Sequence, residues 1–555
     1  MTNPYTVPAL VAVTLATVGI GAYGLRLART TSDFLVASRT VSPAWNAAAI
    51  GGEYLSAASF LGIAGLVLKY GVDVLWYPVG FAAGYLALLL FVAAPLRRSG
   101  AFTLPDFCEL RLGSRRLRAL VTGFVVFIGW LYLLPQLQGA GLTLRTVAGA
   151  AYPVGVVLVG TVVIANVALG GMRAITFVQA FQYWLKLTAL AVPMVFLAMQ
   201  WQADGRPPVT PPAGPVFPHA TTVTFADPAV LRLPDGRVTE VPAGGALAFP
   251  AGAPVPEVVG TDVRHGTDWL LPGDAGDGAG GRALFATYSL MLATFLGTMG
   301  LPHVLVRFYT NPDGAAARRT TLLVLGLVGL FYLLPASYGV LGRIYTPQLL
   351  MTGQTDAVVL LLPGAALGGG PIGQLLGALV AAGALAAFLS TASGLLTSVA
   401  GVLSTDVPGR TRPGWRGSVP AFRAAALSAG AVPVLLALGV AELDISRVVG
   451  LAFAVAASSF CPLLVLGIWW RGLTDAGAAA GIVAGGGAAA VAVLATIVGP
   501  PLRGWSAALV AQPAAWTVPL AFAVMVVGSL ATRHRRPQDV ARTMWRLHAP
   551  ESLRG

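Results

Sequence analysis

Runs of about twenty predominantly apolar residues recur along almost the whole of this 555-residue chain. A helix needs about that length to cross the ~30 Å hydrocarbon layer of a bilayer. The runs fall at 6–27, 45–67, 75–96, 119–146, 153–171, 175–200, 283–307, 320–342, 373–402, 424–440, 447–469, 476–498 and 514–532, which predicts thirteen spans. Composition closes the water-soluble alternative. Hydrophobic residues make up 56% of the chain and charged residues 10%, with mean hydropathy +0.76, whereas a soluble domain is about 25% charged. The expected fold class is an all-α integral membrane protein, and soluble-enzyme and nucleic-acid-binding readings are excluded.

The net charge of +13 fits this reading once its distribution is followed. With the connection after Arg26 on the cytoplasmic side, alternate loops on that side hold 24 of the 35 basic residues, among them Arg97, Arg98, Arg115, Arg116, Arg318, Arg319 and Arg410. Cytoplasmic loops carry such an excess. The expectation is a plasma (inner) membrane protein with its N-terminus outside and its C-terminus in the cytoplasm. The segment 201–282 is the one long polar stretch, placed outside, with a hairpin predicted to turn at Asp235-Gly236. Cys108 and Cys461 form no CxxC pair, and the histidines lack metal-ligand spacing, so neither a resident metal nor another cofactor is expected.

Two spans carry glycines that signal either a mid-membrane interruption or close helix packing. The second reads SPAWNAAAIGGEYLSAASFLGIAG, with Gly51-Gly52 ahead of Glu53, and the seventh reads FATYSLMLATFLGTMGLPHVLVRFYT, with Gly297, Gly300 and Pro302. Paired interrupted helices in corresponding positions mark the binding site of transporters built from inverted repeats. Counting five spans from each gives halves at 45–200 and 283–475. An odd number of helices per half inverts the second against the first. The remaining parts are 1–44 (first helix and cytoplasmic connection), 201–282 (outer loop), 476–532 (two accessory helices) and 533–555 (basic tail). Glu53 in mid-membrane costs about 2.5–3.5 kcal/mol unless it faces protein or water, which makes it a functional candidate.

The stretch DFLVASRTVSPAWNAAAIGGEYLSAASFLGIAG resembles the opening of the solute:sodium symporter family, in its cation/acetate symporter and monocarboxylate-transporter branch. The resemblance continues through GFVVFIGWLYLLPQLQGAG, GGMRAITFVQAFQYWLKL, GTMGLPHVLVRFYTNPDGAAARR and VGLAFAVAASSFCPLLVLGIWWRGLT, and covers most of residues 30–475. It implies a leucine-transporter-like 5+5 inverted-repeat core with one extra helix before it and two after. It also implies a sodium site between the first and eighth core helices, formed by the carbonyls of Gly52, Leu55 and Ala387, the hydroxyls of Ser390 and Thr391, and Ser56 beside them. Many sodium-coupled members carry Asp in the fifth core helix where this chain has Gln179.

Na⁺-coupled uptake of a small monocarboxylate such as acetate is the function this resemblance implies. H⁺ coupling, or another solute such as proline, pantothenate or a sugar, is the alternative. Small-residue faces at Ala57, Ser59, Gly297 and Thr298 suit a small solute. Gln136, an amide in mid-span, is a further substrate candidate. Lys186, about ten residues into the sixth span, is expected to serve as counter-charge to the substrate carboxylate or to Glu53, or to snorkel to a headgroup. His303 and Arg307, at the cytoplasmic end of the interrupted seventh span, are expected to gate or anchor. No catalytic constellation or soluble catalytic module is present in the sequence, so an enzyme is not expected, and neither is a passive channel.

Overall fold

A computed structural model describes residues 3–25, 37, 40–209, 215–225, 228–259, 263–264, 269–270, 280–406, 417–439, 445–500 and 502–551. Arg26, Arg29, Arg39, Arg410, Arg412, Arg416 and Arg554 of the charge argument lie outside the described residues. The chain is helical apart from one polar loop region. Eleven helical stretches have the length and apolarity to cross a membrane, and two of these fold back on themselves. The stretch Ala58–Ser99 turns at Gly71 (φ 72), and Tyr152–Ala203 turns at Gly171 (φ 59), so each supplies two segments. Both turns need left-handed backbone, which glycine adopts without the Cβ penalty.

In chain order the helices are α1 (Thr6–Leu25), α2 (Pro43–Tyr54), α3 (Ile63–Tyr70, entered by a π turn at Ala58–Gly62), α4 (Trp76–Ala87) and α5 (Ala93–Ser99). Then come α6 (Leu104–Leu112), α7 (Arg115–Ala148), α8 (Tyr152–Ala203), α9 (Gly280–Gly300), α10 (Pro302–Phe308) and α11 (Gly314–Tyr345). The last group is α12 (Val358–Leu367), α13 (Pro371–Asp406), α14 (Val419–Gly439), α15 (Ile445–Trp469), α16 (Asp475–Gly481), α17 (Ala488–Val498), α18 (Ala514–Ala531) and α19 (Val540–His548). The centre of the bundle is α2, α8, α9, α13 and α15. The most apolar window of Ile445–Trp469 is 89% buried, against 28% in Thr6–Gly24, so α15 is core and α1 lies at the periphery. Helix α2 packs on α8, and α9 packs on α15.

Both predicted interruptions exist, with one displacement. Helix α2 ends at Tyr54, and Leu55 (φ −76°, ψ 87°) leaves the helical region, so the first break falls at Leu55-Ser56 rather than at Gly51-Gly52. The two glycines stay helical and let α2 approach α8. A Cβ on Gly52 would run into the Gln179 carbonyl oxygen, and one on Gly51 would lie 2.9 Å from the Tyr183 ring. The second break falls at Leu301 (φ −69°, ψ 117°), just before Pro302. Proline pushes its preceding residue out of the helical region and supplies no N–H of its own. Gly297 and Gly300 bring α9 onto α15, where added Cβ atoms would lie 2.6 Å and 2.5 Å from the Phe453 and Ala456 carbonyl oxygens.

The predicted hairpin is present. Strands β2 (Ala229–Arg232) and β3 (Val238–Val241) pair antiparallel around Gly236 (φ 83°), while β1 (Thr221–Thr224) pairs with β4 (Ala246–Phe249) and β5 (Glu257–Val258) joins β2. This loop region sits on the end of α3. The Trp269 indole donates to the Val67 carbonyl (2.8 Å), Arg343 donates to the Leu68 carbonyl (2.8 Å), and Arg264 pairs with Asp73 at 2.6 Å. At the opposite end, Arg118 joins Asp106, Glu109 and Asp406, tying α6, α7 and α13 together.

Candidate functional site

A helix broken in mid-membrane leaves backbone groups without their i→i+4 partners, and no water in hydrocarbon replaces them. Around Leu55-Ser56 the replacements come from three other helices. Lys186 of α8 donates through Nζ to the Gly52 carbonyl (2.5 Å), the Leu55 carbonyl (2.7 Å) and the Ser390 hydroxyl (3.0 Å). Thr391 of α13 donates to the Glu53 carbonyl at 2.6 Å. Gln136 of α7 accepts the Ala57 N–H at 2.9 Å. Ser390 itself donates to the Ala387 carbonyl at 3.0 Å. The fold thus brings Gly52, Leu55 and Ser390 onto the Lys186 head, with Ala387 bonded to Ser390 and Thr391 to the Glu53 carbonyl beside them. Ser56 adjoins them and is buried.

Lys186 does not reach a headgroup, and its direct partners are oxygens at the break rather than the Glu53 carboxylate. Its side chain is fully buried, and the Glu53 partner is Arg307. The two lie 2.6 Å apart and are both buried, although 254 residues separate them in the chain. Arg307 also donates to the Thr176 hydroxyl (2.8 Å) and to the side-chain oxygen of Gln179. The other end of that amide donates to the Ser390 carbonyl at 2.7 Å. This explains a neutral residue at position 179: a carboxylate there would compete with Glu53 for Arg307 and could not donate to Ser390. Arg307 is therefore an interior ion-pair partner rather than a loop anchor. The site leaves no room for a side chain opposite the pair, since a Cβ on Gly394 of α13 would overlap the Glu53 carboxyl.

A small enclosed hollow adjoins the first break, lined by Tyr54, Ala58, Ser59, Ile63, Tyr77, Phe81, Tyr132, Tyr332, Ser446, Val449 and Phe453. About 10 Å³ is open to the centre of a water molecule, roughly the room for one water. Of the substrate candidates, Ser59 lines it, its hydroxyl 2.8 Å from the Tyr332 hydroxyl. Thr298 stands behind the wall, bonded to the Tyr54 hydroxyl at 3.0 Å. Ala57 and Gln136 are spent on closing the break, and Gly297 on packing against α15. His303 is buried edge-on to Tyr132 at 5.3 Å, and neither of its ring nitrogens makes a hydrogen bond among the described residues. It therefore sits beside the hollow wall rather than at a loop. The aromatic wall of Tyr54, Phe81, Tyr132, Tyr332 and Phe453 is not apparent in the sequence. Helical periodicity cannot separate aromatics that line a cavity from those that fill a core.

Gln136→Leu is expected to lower the unfolding temperature of the detergent-purified protein by several degrees. The Ala57 N–H would be left unpaired in the interior, at a cost of about 1–3 kcal/mol. An unchanged melting curve would mean that this N–H finds another partner.

Two interrupted helices packed within a helical bundle, with main-chain oxygens turned inward beside a small hollow, are the architecture of the leucine-transporter fold class. A substrate-bound, outward-open Na⁺-coupled sialic acid symporter superimposes over 94% of this chain and 98% of its own, with TM-score 0.63 at 15% identity. The nucleobase-cation-symport-1 family transporter Mhp1, closed with bromovinylhydantoin, superimposes over 92% of this chain and 98% of its own, with TM-score 0.53 at 14% identity. The chain belongs to the sodium:solute symporter family, which it matches over residues 34–205 and 271–485. It is 29% identical over 551 residues to a monocarboxylic acid transporter of Corynebacterium glutamicum, covering 94% of this chain and 90% of that one. It is also 29% identical over 469 residues to the uncharacterized symporter YwcA of Bacillus subtilis, covering 83% of this chain and 80% of that one.

Proposed function

We propose that this chain is a secondary active symporter that moves a small monocarboxylate such as acetate inward across the plasma membrane, coupled to a monovalent cation. The observation that carries this reading is the first break, where the carbonyls of Gly52 and Leu55 and the Ser390 hydroxyl converge on one positive charge beside an enclosed hollow. Family membership and the neutral oxygen set favour Na⁺. The Lys186 head on those oxygens favours H⁺. The monocarboxylic acid transporter among the relatives supports the substrate class. The halves 45–200 and 283–475 act as inverted repeats, one group of core helices rocking against the rest. The N-terminus lies outside and the basic tail in the cytoplasm, and no bond of the solute is made or broken.

In such a carrier each ligand stabilises the conformation that the other prefers, which is the whole of the coupling. Ser390→Ala with Thr391→Ala is expected to raise at least fivefold the cation concentration needed for half-maximal uptake, in a Na⁺ titration or a pH titration of proteoliposomes. Membrane insertion should be intact. An ion dependence identical to wild type would place the cation elsewhere. The substrate class is tested by competition of acetate, propionate, lactate and pyruvate against labelled acetate, with proline and glucose as competitors that should fail.

A further inference from the structure

An ammonium has three N–H donors and accepts no hydrogen bond. Lys186 uses all three: on the Gly52 carbonyl, the Leu55 carbonyl and the Ser390 hydroxyl. These are main-chain and hydroxyl oxygens of the kind that would otherwise hold a free alkali cation, and with the ammonium at their centre no second positive charge fits among them. Resting on the symporter reading above, we infer that the coupling cation of this chain is a proton carried on Lys186, whose charged head fills the cation site in place of Na⁺.

The surroundings suit an amine that changes its charge. From α2 the charged group facing Lys186 is Glu53, already engaged by Arg307 of α10. Toward the lysine head α13 presents the hydroxyls of Ser390 and Thr391, and α8 itself carries Gln179 and Tyr183, all neutral. From α1, Thr17 is bonded to Gln182, and from α11, Tyr338 donates to the Leu190 carbonyl. A lysine held mainly by neutral oxygens gives up its proton far more readily than an arginine could. On the outward-facing side, the amine lone pair takes a proton and an N–H bond forms. The third hydrogen bond then draws α2 and α13 together across the break. On the inward-facing side that N–H bond breaks, the proton leaves to the cytoplasm, and the contact loosens. One proton and one carboxylate anion cross together, with no net charge moved.

The test uses the full chain in proteoliposomes with labelled acetate, propionate, lactate and pyruvate, protein-free vesicles giving the passive blank. An inside-alkaline pH gradient is expected to raise wild-type uptake at least tenfold, and replacing all Na⁺ by choline should leave it unchanged. Lys186→Gln, inserted in the membrane to the wild-type level, is expected to lose the response to the pH gradient. Wild-type uptake that stops in choline, or a Lys186→Gln protein that still follows the pH gradient, overturns the proposal. The choline result holds even where the variant fails to fold. Absence of counterflow by the wild type for all four acids would instead defeat the symporter reading itself.

Discussion

Arg307→Met, with Glu53 left in place, is expected to cut the yield of folded, monodisperse protein at least tenfold and to abolish transport. Arg307 gives Glu53 its one charge-assisted bond and also holds Thr176 and Gln179. Removing it strands a carboxylate in the interior, and breaking a buried pair from one side costs about 3–5 kcal/mol. The double variant Glu53→Gln with Arg307→Met removes both charges and should recover most of the folded yield, because a neutral amide is far cheaper to bury than an unpaired anion. Transport should stay lost, since the charged tie between α2 and α10 goes with the pair and leaves the Asn46 amide on the residue-307 carbonyl (3.2 Å). Size-exclusion profiles and uptake measured on the same preparations separate these outcomes. A single variant that folds and transports like wild type would show that Glu53 does not depend on Arg307.

The second large effect is expected at Gly52. Its added Cβ would collide with the Gln179 carbonyl oxygen, a backbone atom of α8 that cannot rotate away. Gly52→Ala therefore has to push α2 off α8, at the ~1–3 kcal/mol or more that overpacking costs. The displacement acts on the residue whose carbonyl accepts from Lys186. Uptake is expected to fall at least tenfold and the melting temperature by several degrees. Gly329→Ala in α11 is the matched control: its Cβ would meet nothing within 4 Å, and alanine favours helix. If the two variants behave alike, the close approach of α2 to α8 is not what places the break.

The sequence discloses some of these features because the physics that sets them is local. Span positions follow from the thickness of hydrocarbon. The second break is readable because Pro302 acts on the residue before it. Gly51-Gly52 marks the right helix but the wrong turn: a glycine pair signals either a bend or a close contact, and only the neighbour at Gln179 decides which. The pairing of Glu53 with Arg307 was out of reach, since both residues are visible in the sequence but nothing local joins positions 254 residues apart. The same holds for Lys186, whose snorkelling and counter-charge readings share one local pattern. Its place on the Gly52 and Leu55 carbonyls depends on how α8 meets α2. The oxygen set itself came from family resemblance, and the fold brings those residues together while adding an occupant that the resemblance did not include.

The most direct test of the account is accumulation against a gradient. Purified protein in sealed vesicles, given an imposed cation gradient and a labelled short-chain monocarboxylate, should concentrate the acid severalfold above the outside level. It should release the acid when an ionophore collapses the gradient. Uptake that stops at equal concentrations inside and out, with or without the gradient, would contradict coupled transport and with it the reading of the broken-helix oxygens as a cation site.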